Sequence, residues 1–394
     1  MHILIIPSWY PAKDNPIAGI FFKEQAEALA EKIDKVGVLT IREISILNIH
    51  EIINDKIFLY KIGIGNSSKT KELELSYISF PKIKFIKKLQ NNIFSRLAIK
   101  KYITQYGKPD LCHLHSYSRG DTALMIEQRY KIPFVITEHS TGFARRIIDD
   151  KGMEFAKNVF RNAEKRIAVS KQFADLLYNL TGQNFIYIPN LTDSSFFTIG
   201  NNKGKIGDFV FLNIASLDEK KNHYMLLEAF AEKFKYKKNV KMIIAGKGPL
   251  EIKLKAKAKE LKIEEKVVFF GPASREQVRQ LFHSSDAFVL SSKYETFGVV
   301  LIEALSCGLP VIATKCGGPE SIVVEEGIGE LVDIDKDALA NAMEKVCSKK
   351  YDSEYIRKYA IENFSKEAVT SELIKVYKTI LLSKKNSITD RNIA

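Results

Sequence analysis

The feature of this sequence that most constrains its fold is a regular alternation of short apolar runs with amphipathic stretches. In the first half, runs rich in apolar and β-branched residues predict five strands, at 2–7, 35–40, 110–115, 134–137 and 166–170. The stretch at 22–33 has apolar residues at helical spacing between the first two strands. Strands that alternate with helices are typical of a parallel sheet with helical crossovers.

A second series of the same kind follows after a break. Helical stretches separate its predicted strands, which lie at 209–216, 240–246, 266–271, 287–292 and 309–314. Around residues 188–208 the periodicity lapses, and Asn, Gly, Ser and Lys accumulate. A chain of 394 residues also exceeds the roughly 250–300 residues at which single cores stop growing. We therefore predict an α/β protein with two Rossmann-like domains, at 1–188 and 208–366, joined by a linker at 189–207.

The charge and the cysteine content narrow the class of protein further. The net charge is +13, and residues 1–190 contain 28 Lys and Arg against 19 Asp and Glu, so we expect a partner that bears phosphate. The four cysteines match neither a zinc spacing nor a disulfide framework, which favours reduced thiols in the cytoplasm. The N-terminal run predicts a buried strand rather than a signal peptide, and no apolar run approaches the roughly 20 residues of a membrane span. We expect a soluble protein, or one that lies on the inner face of a membrane.

Residues 294–305, YETFGVVLIEAL, place two carboxylates in an otherwise apolar or small run. Glu295 follows a predicted strand, and Glu303 lies within the helix that Gly298 begins. The first N–H groups of a helix attract phosphate, whereas carboxylates accept hydrogen bonds from sugar hydroxyls. Together these groups match a nucleoside diphosphate-sugar. The alternative is that Glu295 caps the helix and Glu303 is a solvated surface residue.

The longer stretch 294–320 resembles the hallmark of the family 4 glycosyltransferases, which are retaining enzymes with the GT-B fold of two facing Rossmann-like domains. The matching positions are Glu295, Phe297, Gly298, Glu303, Ala304, Gly308, Pro310, Val311, Gly317, Gly318 and, one place early, Glu320. The resemblance implies that Glu295 contacts the donor sugar and that Glu303 binds the ribose. It also implies that the amides after Phe297, those of Gly298, Val299 and Val300, hold the diphosphate.

The stretch ASLDEKKNHYMLLEAF at 215–230 resembles the segment in which this family clamps the diphosphate between an Arg and a Lys. Lys221 aligns with that catalytic Lys, but Ser216 stands at the Arg position. A cation offsets the charge on a leaving diphosphate, so a substitute is needed. We expect Lys220, or an arginine from the first domain such as Arg145 or Arg146, to supply it.

Three glycines are further candidates. Gly246 and Gly248, in AGKGPL, resemble the family's glycine turn near the nucleotide, although a simple turn accounts for them equally well. Gly19 is the nearest match to a family loop that approaches the donor diphosphate and the acceptor. A glycine that merely closes its loop is the alternative.

Histidines follow two predicted strands of the first domain. His139 stands just past a strand end, where the family has a histidine that bonds the donor sugar. His113 and His115 share one face of a strand, but no third metal ligand has suitable spacing. We therefore expect no metal and no cofactor, with both residues at the edge of the core and His115 at the rim of the cleft.

Residues 80–101 contain seven Lys and Arg and no acid. Ile86, Leu89, Ile93 and Leu97 recur at helical spacing, which predicts an apolar face with cationic flanks. That face suits anionic lipid headgroups and a lipid-linked phosphate acceptor. Equally, it suits a helix packed on its own sheet with solvated lysines outside. The aromatic residues of a single-strand nucleic-acid binder are missing, so no nucleic-acid partner is expected.

The sequence thus predicts a retaining hexosyltransferase that moves a hexose from a UDP- or GDP-sugar to a glycan or lipid-linked acceptor, as in the synthesis of bacterial surface polysaccharides. The resemblance implies that the first domain binds the acceptor and that the second domain binds the nucleotide-sugar. It also implies that a final helix, at 367–394, returns toward the first domain. Two alternatives stay open. One is a sugar-nucleotide 2-epimerase of similar architecture, and the other is a non-catalytic protein that binds nucleotide-sugars.

Overall fold

The computed structural model describes residues 1–11, 19–47, 59–66, 69–80, 84–200 and 207–393. Its strands form two separate sheets, of eight and six strands, each with helical crossovers. The prediction of two α/β domains with parallel sheets is confirmed.

The first sheet has the strand order β3-β4-β2-β1-β5-β6-β7-β8. Its strands are β1 (His2–Pro7), β2 (Lys35–Ser45), β3 (Tyr60–Asn66), β4 (Lys71–Ser79), β5 (Leu111–His115), β6 (Phe134–Glu138), β7 (Lys165–Ala168) and β8 (Ile186–Tyr187). All neighbours are parallel except β3 and β4, which pair antiparallel. Neither β3 nor β4 was predicted from the sequence. Every residue of β1 is buried, as expected for a parallel strand that is covered on both faces.

In the described part of the first domain, five helices lie between the strands of this sheet. They are α1 (Ile20–Ala30), α2 (Lys84–Tyr106), α3 (Gly120–Tyr130), α4 (Asp150–Asn162) and α5 (Lys171–Thr181). The helix predicted at 22–33 thus starts and ends earlier, with a turn over its last residues.

The second sheet is parallel throughout, with the order β11-β10-β9-β12-β13-β14. Its strands are β9 (Phe209–Ile214), β10 (Val240–Ala245), β11 (Val267–Gly271), β12 (Ala287–Leu290), β13 (Val311–Thr314) and β14 (Gly329–Val332). Its helices are α6 (His223–Phe234), α7 (Glu251–Glu260), α8 (Arg275–His283), α9 (Val299–Ser306), α10 (Lys336–Ser348) and α11 (Ser353–Phe364). The strand order reverses direction beside β9 and β12, and ligands bind at such switch points in open α/β sheets.

The last helix, α12 (Lys366–Ile393), packs against the first domain. Val369, Leu373 and Tyr377 are buried in one cluster with Ile3 and Ile5 of β1. A helix from the end of the chain therefore completes the core at its beginning. Within the predicted linker at 189–207, residues 201–206 lie outside the described residues.

Helix α2 buries a different face from the one that its sequence pattern suggests. Phe94, Ala98, Ile99 and Tyr102 pack against the sheet. By contrast, Phe85, Leu89 and Ile93 are 78%, 49% and 52% exposed. The predicted apolar face is therefore divided, because Leu97 packs against the core whereas Leu89 and Ile93 are exposed. Residues 81–83 of that segment lie outside the described residues.

Candidate functional site

The two residues predicted to act together on the donor are in contact. The Lys221 ammonium is ion-paired with the Glu295 carboxylate, and their side chains are only 16% and 12% exposed. The Ser292 hydroxyl donates to Glu295 Oε1 at 2.8 Å, and the Ser291 hydroxyl donates to the Lys221 carbonyl at 2.9 Å. Half-buried charges need such partners, so the pair is held in one place at the carboxyl end of β12.

Helix α9 opens three residues after Glu295. Gly298 precedes its first turn with φ 106°, a backbone conformation that favours glycine. Phe297 is buried against Phe364, with ring centroids 5.9 Å apart, and a Cβ at Gly318 would overlap the Phe297 backbone. This packing holds the backbone in place just before the first turn of α9. The Leu301 amide donates to the Gly298 carbonyl at 2.9 Å, whereas the amides before it, those of Gly298, Val299 and Val300, can hold an anion beside the Lys221 ammonium.

Glu303 lies further along α9, and burial raises its pKa to about 8. The Arg275 guanidinium opposes that rise, whereas the Glu24 carboxylate adds to it. Arg275 also forms an ion pair with Glu24 across the two domains. Burial raises the pKa of Glu24 to about 7, and Arg275 acts against this shift. Sequence reasoning missed both partners, because they lie on α1 and α8, far from the motif that contains Glu303.

A chain of buried histidines lies at the carboxyl ends of β5 and β6. His115 Nδ1 is 3.1 Å from His139 Nε2, and the rings of His113 and His115 stack at 4.2 Å. His113 in turn bonds the Tyr377 hydroxyl of α12 at 2.6 Å. Burial lowers the pKa of His113 and of His139 to about 3 and holds that of His115 well below its usual value. All three imidazoles are therefore neutral at pH 7.

Two of these placements bear on the predictions. His139 lies at the strand end, as expected, and its carbonyl accepts a hydrogen bond from the Thr296 hydroxyl of the second domain at 3.0 Å. His115 is fully buried behind it, so its expected place at the rim of the cleft is wrong. The reason is that Phe22 of α1 covers both rings, with centroid distances of 4.7 and 4.9 Å.

Glu138 holds the backbone that presents His139. Its carboxylate is fully buried and accepts hydrogen bonds from the amides of Tyr117, His139 and Ser140 at 2.8–2.9 Å. The Ser116 hydroxyl donates to it as well, at 2.9 Å. Burial raises the pKa of Glu138, and these bonds to the carboxylate oppose the shift. The only sequence signal for this residue was an acid at the very end of a buried strand.

The three candidate glycines each make room for a neighbouring backbone. A Cβ at Gly246 or at Gly248 would overlap the carbonyls of Ala215 and Leu217 in the loop after β9. Gly19 has φ 69°, and a Cβ there would lie 2.6 Å from the Trp9 carbonyl oxygen. These contacts account for the glycines in structural terms, whatever else the loops bind.

The cation expected to replace the missing arginine is not evident from the contacts. The Ser216 hydroxyl donates to Asp218 at 2.8 Å, and Lys220 Nζ lies 3.6 Å from the same carboxylate. Arg145 and Arg146 are exposed in a turn after β6. Within the described residues, no group of three His, Cys, Asp or Glu side chains is arranged to hold a metal ion, and no helix is long and apolar enough to cross a membrane.

Two family models match the chain. Residues 198–363 match the model described as Glycosyl transferases group 1, and residues 64–196 match the model described as Glycosyltransferase Family 4. Together they span the second domain with its site, and most of the first domain.

Among similar proteins, a probable sucrose-phosphate synthase of Thermosipho melanesiensis is 25% identical over 388 residues, which cover 88% of each chain. The structure of sucrose-phosphate synthase from Thermosynechococcus elongatus has a TM-score of 0.75 at 20% identity, over 97% of this chain and 100% of that one. HepE of Anabaena, in complex with UDP-glucose, has a TM-score of 0.71 at 16% identity, over 96% and 100% of the two chains. Structural likeness at these identities shows a shared fold alone, and that fold is the two-domain GT-B arrangement.

Proposed function

This chain belongs to the family 4 glycosyltransferases, and on that premise we propose that it transfers a hexose from a UDP-sugar to an acceptor hydroxyl with retention of the anomeric configuration. The observation that carries the proposal is the ion pair between Lys221 and Glu295, three residues before the open start of α9. Two loops, one after β9 and one after β12, thus bring together a cation, a hydroxyl acceptor and the first amides of α9. UDP is the proposed nucleotide because HepE, which shares the fold, was crystallised with UDP-glucose.

In the proposed reaction, the bond between the sugar anomeric carbon and the diphosphate oxygen breaks while the acceptor oxygen bonds to that carbon from the same face. The acceptor proton passes to the departing phosphate oxygen, so the protein needs no nucleophile of its own. Negative charge develops on the leaving diphosphate. Lys221 and the first amides of α9 stabilise that charge, and such preorganised groups are typically worth about 10²–10³ in rate each.

The remaining residues hold the donor in this pose. Glu295 accepts hydrogen bonds from the sugar hydroxyls, and Glu303 accepts them from the ribose. His139 contacts the sugar from the first domain through the ring nitrogen that does not face His115. What supports these roles is that the second domain carries the hydroxyl acceptors and the first domain carries the neutral imidazole, with His139 and Thr296 in contact between them.

The test is a panel of UDP-, GDP- and ADP-sugars, read first by thermal shift. A donor that binds only the folded protein raises its melting temperature by mass action. The UDP-sugars should give the largest rise in melting temperature, and addition of an acceptor should then release UDP.

NMR of the product formed from an α-linked donor should show an α-linkage. A β-linked product contradicts retention, and an epimerised nucleotide-sugar without acceptor identifies an isomerase. Binding without UDP release in the presence of every acceptor identifies a non-catalytic protein.

The proposed acceptor is a glycan or lipid-linked saccharide reached from a cytoplasmic membrane surface. The exposed face of α2 supports this, since Phe85, Leu89 and Ile93 stand out between the exposed cations Lys88 and Arg96. Three more exposed apolar residues lie beside the first half of this helix: Ile46, Leu59 and Phe80. Apolar side chains flanked by cations favour anionic lipid surfaces.

Vesicle co-sedimentation tests this surface. The protein should sediment with phosphatidylglycerol-containing vesicles but not with phosphatidylcholine alone, and salt should weaken the binding. The double substitution Leu89→Ser and Ile93→Ser should abolish sedimentation. Ile252→Ser, at a residue 83% exposed in the second domain, is the matched control and should leave it unchanged. Equal sedimentation of all variants contradicts the proposal.

A further inference from the structure

The first domain contains a cavity of about 440 Å³ that none of the predicted site residues lines. Its walls come from the loop after β1, from the second half of β2, and from β4 and the segment before α3. The residues that matter for its chemistry are Trp9, Tyr10, Arg42, Glu43, Glu74 and Arg119. The volume falls in the range of about 300–1,000 Å³ that is usual for small-molecule sites.

The cavity opens at the edge of the sheet that also carries the histidine chain. β1, β2, β5 and β6 run parallel, so their carboxyl ends meet there. The Ser8 hydroxyl, in the cavity wall, donates to the His115 carbonyl at 2.6 Å. The Trp9 ring packs on Phe22 at 5.2 Å, and Phe22 packs on His139 at 4.9 Å. A ligand in the cavity therefore lies two ring contacts away from the proposed sugar-contacting histidine.

The charges in the cavity wall balance. Arg119 Nη1 is 3.2 Å from Glu43 Oε1, and its Nη2 donates to the Ile41 carbonyl at 2.6 Å. With Arg42 and Glu74, the lining has two formal positive and two formal negative charges. A phosphate or carboxylate gains little net attraction there, whereas a neutral polyol finds both donors and acceptors for its hydroxyls.

Trp9 is one of the apolar residues that line the cavity, and it remains 39% exposed although its ring packs on Phe22. Its position depends on Gly19, since a Cβ at Gly19 would lie 2.9 Å from Trp9 Cδ1 as well as close to its carbonyl. An indole face gives a sugar ring a large apolar contact at low entropic cost. The glycine expected near the donor thus acts, at least in part, by seating this tryptophan.

We infer that this cavity binds an uncharged sugar residue of the acceptor, with Trp9 as its stacking platform. The inference rests on the proposed transferase function and names the acceptor class for it. The sugar hydroxyls bond to the fixed carboxylate and guanidinium groups, and the ring lies against the indole. The attacking hydroxyl then points along the sheet edge toward His139 and the second domain.

Trp9 makes the experiment direct, because it is the only tryptophan in the sequence. Its emission is recorded while the full-length protein is titrated with neutral methyl glycosides and disaccharides, and with glucuronate and glucose 6-phosphate as charged counterparts. At least one neutral saccharide should shift or quench the emission saturably, and the charged compounds should bind at least about tenfold more weakly. Tighter binding of a charged compound overturns the inference. So does the absence of any response to the neutral saccharides while UDP-sugars still raise the melting temperature, a result that leaves the donor proposal intact.

Substitutions of Trp9 distinguish a role in acceptor binding from a role in the stability of the protein. Trp9→Ala should raise the acceptor KM about tenfold, which corresponds to one lost aromatic contact, and leave the donor KM unchanged. Trp9→Phe keeps a ring and should restore most of the affinity. Tyr236→Ala removes an aromatic that is 88% exposed in the second domain and is the matched control. An unchanged acceptor KM in Trp9→Ala, or a donor KM that rises equally, contradicts the assignment.

Discussion

The two domains contribute opposite kinds of polar group to the candidate site. The second domain supplies charges, with Lys221 paired to Glu295 and both side chains partly exposed. The first domain supplies neutral imidazoles. His115 bonds to His139 and stacks on His113, which in turn bonds to Thr137 and Tyr377. A diphosphate needs a cation, which must keep some contact with solvent or a counter-ion. A sugar needs only dipolar partners, and these tolerate complete burial when their hydrogen bonds are made.

The largest effect is expected on turnover, when the positive charge of Lys221 is removed from the second domain. Lys221→Met keeps most of the apolar stem but removes the ammonium, so the developing charge on UDP loses its cation. Turnover should fall about 10²–10³-fold, as for removal of other preorganised groups. The rate of UDP release at saturating donor measures this fall in turnover. Lys237→Met, at a half-exposed lysine paired with Glu344, is the control, and near-normal turnover in Lys221→Met contradicts the site.

An intermediate effect is expected on stability, when low pH favours protonation of the buried histidines of the first domain. The pKa of His113 and of His139 is about 3 in the folded protein and 6.5 in the unfolded chain. Below pH 6.5 the unfolded chain therefore binds more protons, and stability falls as the pH decreases. Each of these two imidazoles should lower the free energy of unfolding by about 2 kcal/mol at pH 5 relative to pH 8.

Urea unfolding across pH 5–8 measures this loss. His113→Asn should reduce the number of protons taken up on unfolding at pH 5 by about one, since that is the slope of stability against pH. Ile252→Ser, at an exposed residue without a titratable side chain, is the control and should leave the slope unchanged. A slope of zero in the unmodified protein would mean that the histidine chain is protonated in the folded state.

The smallest effect concerns Glu303, the one acid on the charged side whose pKa lies above neutrality. At pH 7 its carboxyl is mostly protonated, because burial raises its pKa to about 8. Ribose hydroxyls that donate to it favour the carboxylate, so UDP-glucose should bind up to about tenfold more tightly as the pH rises from 7 to 9. Calorimetry at several pH values measures this. Glu303→Gln should flatten the dependence, whereas Glu326→Gln, at an exposed acid, should not.

The sequence was most informative where the site is local in the chain. Glu295, Gly298 and Glu303 lie within nine residues, so their spacing on a strand end and one helix follows from the strand and helix pattern alone. The family resemblance rests on the same stretch and is confirmed. Lys221 is distant in sequence, yet it too follows a strand of the same sheet. Only the family resemblance singled it out, and the shared edge of the parallel sheet explains why it meets Glu295.

Prediction failed where the contact depends on packing between distant elements. Arg275 reaches Glu24 across the domains, and neither residue stands in a recognisable motif. Of the apolar face predicted for residues 80–101, Leu97 packs against the core whereas Leu89 and Ile93 are exposed. All three follow helical spacing, so only the position of the sheet decides which of them is covered. The roles of the individual site residues and the domain boundaries remain predictions.

The sequence by itself determined the fold class and the charged half of the site, since hydrophobic period and strand-end placement are properties of neighbouring residues. Only the tertiary structure decided the burial of the histidines in the first domain and the shape of the cavity beside Trp9. His115 is buried because Phe22 of α1 covers it, and Trp9 has its place because Gly19 leaves room for it. Burial and steric fit between residues far apart in the chain set both outcomes, and neither is encoded in local periodicity.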